Sequence, residues 1–395
     1  MLSIGIFTYS TKARGSVVHA THLAEALTRR GHDVTLYALS KAGDRLYREV
    51  GCRLRYLQAE KAPAEPDALI AQRVREVADG VAELEPRHDV YHAEDCLVAS
   101  GLLAKRAELK LKPLLRTLHH LEHFVSPYLR DCQRRSILEA DAVACVSQVS
   151  QRDVQRELGR ACPVIGNGVE LERFRADERL DEQTRARFGI GPGDRVVLSV
   201  GGVEPRKNSF CALEGLLPLL REQPALRWLI AGGDSIWEHD AYRAGFRDRL
   251  RRLPPDVRAR VVELGSVTEH ELTGLYGISQ ILLCPSLQEG FGLCVLEALA
   301  ARTAVVVSEQ EPFTEYLTPA VATFVQPSSP ASITRGVARL LRDEPLRLQL
   351  VQAGEAHAQA FSWERVALEH ERLYARALYQ TSRRWIVARE EPAHA

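Results

Sequence analysis

Short β-branched runs alternate with longer helical patterns along this chain, and the alternation restarts once near the middle. Such alternation predicts βαβ units built around a parallel sheet. A stretch rich in charge and turn residues, 172–194, separates the two halves and is the predicted domain linker. A chain of 395 residues is also too long for one ordinary core. The sequence therefore predicts an α/β protein with two doubly wound, Rossmann-like domains.

The predicted domains are 1–175 together with a C-terminal helix at about 362–395, and 190–361. Ser362 in Phe361-Ser362-Trp363-Glu364 is the predicted N-cap of that helix, which we expect to fold back onto the first domain. Because parallel strands in such folds carry ligand sites at their C-terminal ends, we expect the two domains to face each other across a cleft. The predicted strands are 4–9, 34–39, 90–93, 114–118, 142–146 and 164–166, followed by 196–200, 228–231, 261–264, 281–284, 304–307 and 323–325.

Composition excludes several classes of protein. The formal net charge is zero, whereas a nucleic-acid binder normally carries a basic excess. No apolar run is long enough to span a bilayer, and the N-terminus leads directly into a strand pattern, so we expect a cytoplasmic protein. The eight cysteines form no Cys-x-x-Cys pair and are predicted to be reduced thiols. Arg383-Arg384-Trp385-Ile386 leaves a weak contact with a membrane surface open beside a solvated helix end.

The segment from Glu289 to Glu297 carries the strongest chemical signal. A predicted strand precedes it, Gly290, Phe291 and Gly292 form a turn, and a helix is predicted from Leu293 to Ala301. This order places free backbone N–H groups, including that of Cys294, at a helix N-terminus that suits a phosphate. In one continuous helix the two carboxylates would lie roughly 12 Å apart, which is too far for paired acid/base work on one bond. The spacing instead suits the two ends of a larger ligand, such as a nucleotide sugar.

A second candidate loop, Ser10 to Ser16, follows the first strand and opens a helix. Gly15 and Ser16 would allow a diphosphate to approach the backbone closely, although an ordinary βα turn has the same composition. The loop is not a dinucleotide fingerprint, because Gly-x-Gly-x-x-Gly is missing, and this argues against a dehydrogenase.

The cluster His119-His120-Leu121-Glu122-His123 follows the strand that ends at Leu118. Three interpretations remain open: a metal site, a plain surface cluster, and a role for His119 in the cleft. The metal interpretation is the weakest, because the His-Glu-x-x-His order of a helical zinc site is absent.

The turn after the first strand of the second domain carries Arg206 and Lys207. Two fixed cations can stabilise the charge on a departing diphosphate, although a solvated basic turn has the same pattern. Lys207 is the only lysine after Lys112 in an arginine-rich chain, which favours a functional role. The backbone of Gly233 and Asp234 is predicted to line the floor of a nucleotide pocket, and Ser308 and Glu315 are weaker candidates.

With these motifs together, the chain resembles the retaining glycosyltransferases of the GT-B architecture, in particular the large bacterial family 4. The resemblance covers nearly the whole chain. Six segments carry it in order, of which Glu289-x7-Glu297 is the most specific: Gly15, Thr117-Leu118-His119, Gly166-Asn167-Gly168-Val169-Glu170, Glu204-Pro205-Arg206-Lys207, Pro285 to Gly292, and Phe361-Ser362-Trp363.

The resemblance implies a role for each matching residue. Glu297 resembles the acceptor of hydrogen bonds from the donor ribose, and Glu289 resembles the carboxylate beside the donor sugar. Backbone N–H groups from Phe291 to Cys294 would hold the distal phosphate. Lys207 matches the lysine at the diphosphate, and His119 matches the histidine that reaches the sugar from the first domain.

The implied reaction moves a sugar from a nucleoside diphosphate to an acceptor hydroxyl with its anomeric configuration kept. The resemblance implies no metal, and the Asp-x-Asp motif of metal-dependent transferases is absent. One departure concerns Gly202, which stands where many relatives have a phosphate-binding arginine; we hypothesise that Arg206 supplies that charge.

Several questions stay open at this point. A sugar-nucleotide epimerase and a non-catalytic nucleotide-sugar-binding subunit remain alternatives. The acceptor, the base, the sugar and the oligomeric state are not determined, although Tyr9, Arg14, His92 and Asp95 are candidates to line the acceptor side.

Overall fold

The computed structural model describes residues 1–63, 65–84, 87–109, 112–233 and 239–390, with only the backbone described at 108–109 and 382–390. The chain divides into two compact units. Unit 1 comprises Met1–Asn167 and the C-terminal segment from Trp363, and unit 2 comprises Gly168–Ser362. Asp234 lies outside the described residues, and so do the side chains of Arg383 to Ile386.

Unit 1 is built on a six-stranded parallel sheet with the order β3-β2-β1-β4-β5-β6. The order reverses between β1 and β4, which makes their C-terminal ends the topological switch point of this sheet. The strands are β1 Ser3–Thr8, β2 Asp33–Lys41, β3 Arg53–Ala59, β4 Val90–Ala93, β5 Leu114–Leu118 and β6 Ala142–Cys145. Their helices are α1 Gly15–Arg29, α2 Pro66–Ala82, α3 Cys96–Leu109, α4 Pro127–Leu138 and α5 Gln148–Leu158.

Unit 2 has a second six-stranded parallel sheet, with the order β12-β11-β10-β7-β8-β9 and a reversal between β7 and β10. Its strands are β7 Arg195–Val200, β8 Leu226–Ala231, β9 Val261–Gly265, β10 Ile281–Cys284, β11 Ala304–Ser308 and β12 Thr323–Val325. Its helices are α6 Glu178–Phe188, α7 Ser209–Glu222, α8 Asp240–Arg251, α9 Pro255–Arg258, α10 Glu269–Gly277, α11 Leu293–Ala300, α12 Phe313–Tyr316, α13 Pro330–Arg342 and α14 Glu344–Ala358.

The last helix, α15 Trp363–Glu390, belongs to unit 1 and packs on α1. Its buried face includes Trp363, His370 and Tyr374. The rings of His22 and Trp363 stack with their centroids 5.1 Å apart. The C-terminal helix is therefore part of the core of unit 1. Among the described residues, no helix combines the length and the apolar character needed to cross a membrane.

The alternation of apolar runs predicted both sheets, and the structure confirms the two-domain α/β fold. Two of the strand predictions are wrong. The edge strand β3 was missed because its sequence Arg-Leu-Arg-Tyr-Leu-Gln-Ala leaves polar side chains exposed, so that no apolar run marks it. Residues 164–166 form only an isolated bridge between Val164 and Cys145.

The stretch 172–194 contains secondary structure and lies within unit 2. A 3₁₀ turn at Leu171–Phe174 precedes α6, which begins after Asp177. The Asp177 carboxylate accepts hydrogen bonds from the N–H groups of Arg179 and Leu180, and Gly189 ends the helix in the left-handed conformation. The turn signals in this stretch therefore mark the two ends of a polar surface helix, and the boundary between the units lies at 167/168.

Candidate functional site

The topology of unit 2 brings the turns after β7 and β10 together, because these strands are neighbours at the switch point. Asn208 joins the two turns: its side-chain amide donates to the carbonyl oxygens of Pro285 and Pro327, at 3.0 and 2.6 Å. The Leu287 N–H also donates to the Arg206 carbonyl at 2.8 Å. Arg206 and Lys207 are thereby held against Glu289 by backbone and side-chain hydrogen bonds.

Glu289 accepts from three side chains. Lys207 Nζ lies 2.6 Å from Oε1, the Ser286 hydroxyl 2.8 Å from the same oxygen, and Arg206 Nη1 2.8 Å from Oε2. The Glu289 side chain is 7% exposed and that of Lys207 is 13% exposed. Such a carboxylate is a charge-assisted acceptor with little remaining capacity to act as a base.

The two charges stabilise each other despite their burial. Burial opposes ionisation of Glu289, but the attraction of Lys207 and Arg206 outweighs it and lowers the pKa of this carboxyl to about 2. Burial likewise opposes the charge of Lys207, and the attraction of Glu289 outweighs it and raises the pKa of this amine. Both groups are therefore ionised across the physiological pH range.

The glycines beside this pair are required by close contacts. At Gly201 (φ +118°) an added Cβ would lie 2.3 Å from the Lys207 Cε, so the lysine side chain packs directly on the glycine. At Gly202 (φ +76°) an added Cβ would lie 3.0 Å from the Gly233 carbonyl oxygen. A side chain at 202 would therefore be strained in this loop. Gly202, Lys207 and Ser286 are among the residues that line an adjoining cavity.

The helix after Glu289 begins at Leu293, as predicted, so the segment from Glu289 to Glu297 is not one continuous helix. Among the described residues, no backbone acceptor contacts the N–H groups of Leu293 and Cys294, which open α11. Gly292 (φ +92°) has Phe313 against it, where an added Cβ would lie 2.5 Å from the ring, and Tyr316 donates to the Phe291 carbonyl at 3.1 Å. The turn before α11 is thus fixed by α12.

Glu297 lies on the second turn of α11 and is partly exposed. Its Oε2 accepts a hydrogen bond of 2.8 Å from the Tyr276 hydroxyl, at the end of α10. The other carboxylate oxygen has no hydrogen-bond partner among the described residues. Tyr276, which the sequence analysis did not single out, therefore orients this carboxylate.

The weaker candidates of unit 2 have structural positions. The Ser308 hydroxyl is buried and donates to the Ser286 carbonyl at 2.6 Å, so that it supports the turn of Glu289 from behind. Glu315 lies in the first turn of the short helix α12. Gly233 stands close to Ser266, where an added Cβ would meet the hydroxyl oxygen at 2.0 Å.

In unit 1, His119 lies at the C-terminal end of β5 and turns toward Glu94, which follows β4. The His119 Nε2 is 2.9 Å from Glu94 Oε2, and the His19 Nδ1 of α1 is 3.0 Å from the same oxygen. Glu94 is fully buried, whereas 15% of the His119 side chain is exposed. Glu94 was missed by the sequence analysis, although a carboxylate directly after a buried strand at the switch point is a signal that could have found it.

The hydrogen bonds determine which nitrogen of His119 carries its proton. Burial opposes ionisation of Glu94, but the contacts with His19 and His119 outweigh it and lower the pKa of this carboxyl well below its usual range. An ionised carboxylate only accepts, so Nε2 of His119 must donate. Burial lowers the pKa of His119 to about 4, so that the ring is neutral at pH 7. Its Nδ1 then has a free lone pair and can accept a hydrogen bond from a ligand hydroxyl.

The side chains of His119, His120 and His123, which are close in sequence, do not come together at one site. His120 pairs with Glu122, and His123 is exposed. His119 instead belongs to a donor set with His19 and Glu94, whose ligand atoms lie within 4.8 Å of one another. Two imidazoles and one carboxylate form a donor set that divalent metals use. In the structure, His19 and His119 each form a hydrogen bond with the Glu94 carboxylate.

The candidates for the acceptor side separate into two groups. His92 is buried in the interior of unit 1, with Nδ1 2.8 Å from the Tyr374 hydroxyl and Nε2 2.8 Å from the Thr117 hydroxyl. It therefore does not line a surface. Tyr9, Arg14 and Asp95 lie near one another beyond the ends of β1 and β4. Gly15 opens α1, followed by Ser16, and an added Cβ at Gly15 would contact nothing within 4 Å. The packing of unit 1 does not itself require this glycine.

The buried histidines predict a loss of stability in acid. Burial lowers the pKa of His92 and His119 to about 4, below the value of about 6.5 for an unfolded histidine. Between these values the unfolded chain binds more protons, so the free energy of unfolding falls as the pH is lowered, by up to about 1 kcal/mol per pH unit for each histidine. Urea unfolding near neutral pH and at about pH 5 measures this effect.

A matched variant isolates the contribution of one ring. His92→Gln keeps a polar side chain beside Tyr374 and Thr117 but removes one titrating group, so the dependence on pH should weaken by the share of one histidine. An unchanged slope in this variant would contradict the assignment.

Comparisons with known proteins agree with the fold. The family model "Glycosyl transferases group 1" matches residues 181–357, and the model "Glycosyltransferase Family 4" matches residues 13–173. The D-inositol 3-phosphate glycosyltransferase of Corynebacterium efficiens is 26% identical over 393 residues, with 92% of this chain and 90% of the relative covered. The enzyme of the same name from Geodermatophilus obscurus is 28% identical, with 89% and 82% covered.

Solved structures show the same fold. Sucrose-phosphate synthase from Thermosynechococcus elongatus superposes with a TM-score of 0.78 at 21% identity, covering 96% of this chain and 100% of that one. Anabaena HepE in complex with UDP-glucose has a TM-score of 0.77 at 19% identity, with 96% and 100% covered. The two models together span both units, and the chain belongs to the group 1 glycosyltransferases of the GT-B type.

Proposed function

We propose that this glycosyltransferase moves a sugar from a nucleoside diphosphate to an acceptor hydroxyl with retention of configuration and without a metal ion. The observation that carries the proposal is the Lys207–Glu289 pair immediately before the N-terminus of α11. It brings a fixed cation from the turn after β7 next to a carboxylate in the turn after β10, which is followed by free N–H groups for a phosphate. HepE, a structural neighbour, was solved with UDP-glucose, which supports a nucleotide-sugar donor.

Each residue has a proposed role. Lys207 and Arg206 stabilise the charge on the diphosphate, and the N–H groups of Leu293 and Cys294 hold the distal phosphate. Glu297 accepts hydrogen bonds from the ribose hydroxyls, and Glu289 orients the sugar. His119, as a neutral ring with Nδ1 free, accepts a hydrogen bond from a sugar hydroxyl.

Retention without a covalent intermediate is supported by the state of Glu289. A nucleophilic carboxylate attacks through an oxygen lone pair, and the hydrogen bonds from Lys207, Ser286 and Arg206 to both oxygens of Glu289 make it a weaker nucleophile. In the proposed front-face reaction the bond from the anomeric carbon to the phosphate oxygen breaks. The acceptor oxygen bonds to the same face of that carbon, and its proton passes to the departing phosphate oxygen. Positioning and charge stabilisation provide the catalysis.

The acceptor is a hydroxyl compound. The relatives from Corynebacterium efficiens and Geodermatophilus obscurus are named for an inositol phosphate. This name supports the proposal that the acceptor of this chain is a hydroxyl compound.

The proposal is tested by the stereochemistry of the product. A thermal-shift screen with UDP, GDP and ADP first identifies the base, because a ligand at a hundred times its Kd stabilises the fold by about 2.7 kcal/mol. Transfer from the matching α-linked sugar nucleotide is then followed by NMR, and the expected product is the α-glycoside, formed at the same rate with EDTA. An inverted product would overturn retention, and loss of activity with EDTA would overturn metal independence. The His19–Glu94–His119 donor set makes the metal comparison informative.

A further inference from the structure

Three cations lie at the C-terminal ends of β1 and β2. Lys12 and Arg14 lie in the loop between β1 and α1, and Lys41 ends β2. Among the described residues, none of the three has a carboxylate oxygen within 4.0 Å. Other cations of unit 1 are paired, such as Arg48 with Glu25 and Arg73 with Glu76.

Two of these cations lie near one aromatic ring. Lys41 Nζ lies 5.2 Å from the centroid of the Tyr9 ring, and the charge of Arg14 opposes the rise that burial gives the pKa of the Tyr9 hydroxyl. Burial lowers the pKa of Lys41, and the like charges of Arg73, Arg14 and Lys12 lower it further against the opposing effect of Asp95. The fold thus holds positive charges close enough together to repel one another.

The neighbouring charged groups are already occupied. Asp95 accepts hydrogen bonds from the N–H groups of Tyr9, Leu97 and Val98, and Arg73 bonds both oxygens of Glu76. Helix α1 adds to the positive potential, because it begins beside Arg14 without a side-chain cap and without an acidic residue in its first turn. A positive charge that the described residues do not balance therefore remains at Lys12, Arg14 and Lys41.

We propose that Arg14 and Lys41, with Lys12 at the rim, bind a phosphate group carried by the acceptor. The inference rests on the proposed function, since it concerns the acceptor of that reaction. Two cations beside a helix N-terminus are a recognised way to hold a phosphate. Their position in the sheet favours the acceptor over the donor. Lys41 lies on the β2 side of β1, whereas His119, the proposed sugar contact, lies on the other side, beyond β4. The proposed function already assigns the donor diphosphate to Lys207 and the N-terminus of α11.

Inorganic phosphate is the probe for this subsite. Thermal unfolding of the full chain is followed at millimolar phosphate, with chloride at matched ionic strength as reference. The wild type should be stabilised by phosphate, and Lys41→Met or Arg14→Met should raise its apparent Kd about tenfold or more. Lys112→Met is the matched control. Lys112 pairs with Asp89 at the opposite end of the same sheet, and its removal should leave the phosphate response unchanged.

A parallel titration with UDP, GDP and ADP separates the two sources of phosphate. A lost phosphate response with an intact nucleotide response in the Lys41 and Arg14 variants supports the acceptor subsite. Loss of both responses would assign the cations to the donor diphosphate and overturn the proposal, as would a phosphate response that is absent in the wild type or unchanged in the variants. A different result would contradict the proposed function itself: no change in the thermal unfolding of the wild type with UDP, GDP or ADP.

Discussion

Replacing Lys207 with methionine is expected to lower kcat by about 10²–10³-fold, the usual cost of removing one fixed charge that stabilises a transition state. The methionine side chain fills the space against Gly201 but cannot neutralise a departing diphosphate. Glu289 keeps its bonds to Arg206 and Ser286, so that the change leaves no isolated buried charge. Steady-state kinetics with saturating donor, together with thermal unfolding, measure the effect.

Three further variants make the result specific. Arg342→Met, which removes an exposed arginine that pairs with Glu222, should leave kcat unchanged. Gly201→Ala should lower kcat although Lys207 is present, because the added Cβ would displace its side chain. Arg206→Ala should cost less than Lys207→Met, since Arg206 is 35% exposed. A Lys207→Met enzyme that folds and turns over within a few-fold of the wild type would remove the proposed role.

Arg206 is also relevant to Gly202, which stands where many relatives have a phosphate-binding arginine. The left-handed backbone at Gly202 and the nearby Gly233 carbonyl disfavour any side chain at that position. Arg206 and Lys207 share Glu289 as a hydrogen-bond partner, so that both cations lie at the same carboxylate. Donor affinity and turnover near those of the wild type in Arg206→Ala would remove the hypothesis that it supplies the missing charge.

The alternation of apolar runs and glycine turns was sufficient to predict both parallel sheets, because each buried strand is marked by its own residues. The same reasoning failed for β3, where exposed arginines hide an edge strand. It also took 172–194 for a linker, because a polar surface helix and a linker have similar composition. Local patterns therefore identified buried elements better than exposed ones.

The positions of the site residues that directly follow strands could be predicted from the sequence. Lys207 and Glu289 each follow a strand, and the order of the sheet makes those strands neighbours. The partners of these residues could not be predicted in the same way. Glu94 meets His119 and Tyr276 meets Glu297 through side-chain contacts across 25 and 21 residues of the chain, which no local pattern reveals. His92 resembled a surface candidate until Tyr374, from the C-terminal helix, was found against it.

Glu297→Gln is expected to weaken donor binding by about 10–100-fold, with a smaller effect on kcat. A carboxylate accepts two hydroxyl hydrogen bonds more strongly than an amide, and bonds to charged groups contribute about 1.5–3 kcal/mol each. The loss should appear in the KM of the donor, because the ribose lies away from the bond that breaks and is held equally in the ground and transition states.

The geometry around Glu297 supplies a graded test of this role. Tyr276→Phe keeps the carboxylate but removes the hydrogen bond that orients it, so that donor KM should rise by less than in Glu297→Gln. Glu355→Gln, on the surface of α14 beside Arg302, is the control and should leave donor KM unchanged. If Glu297→Gln instead lowered kcat with donor KM intact, Glu297 would act in the chemical step and the ribose assignment would be wrong. The order Glu297→Gln, Tyr276→Phe, Glu355→Gln in decreasing donor KM is therefore the result that the geometry predicts.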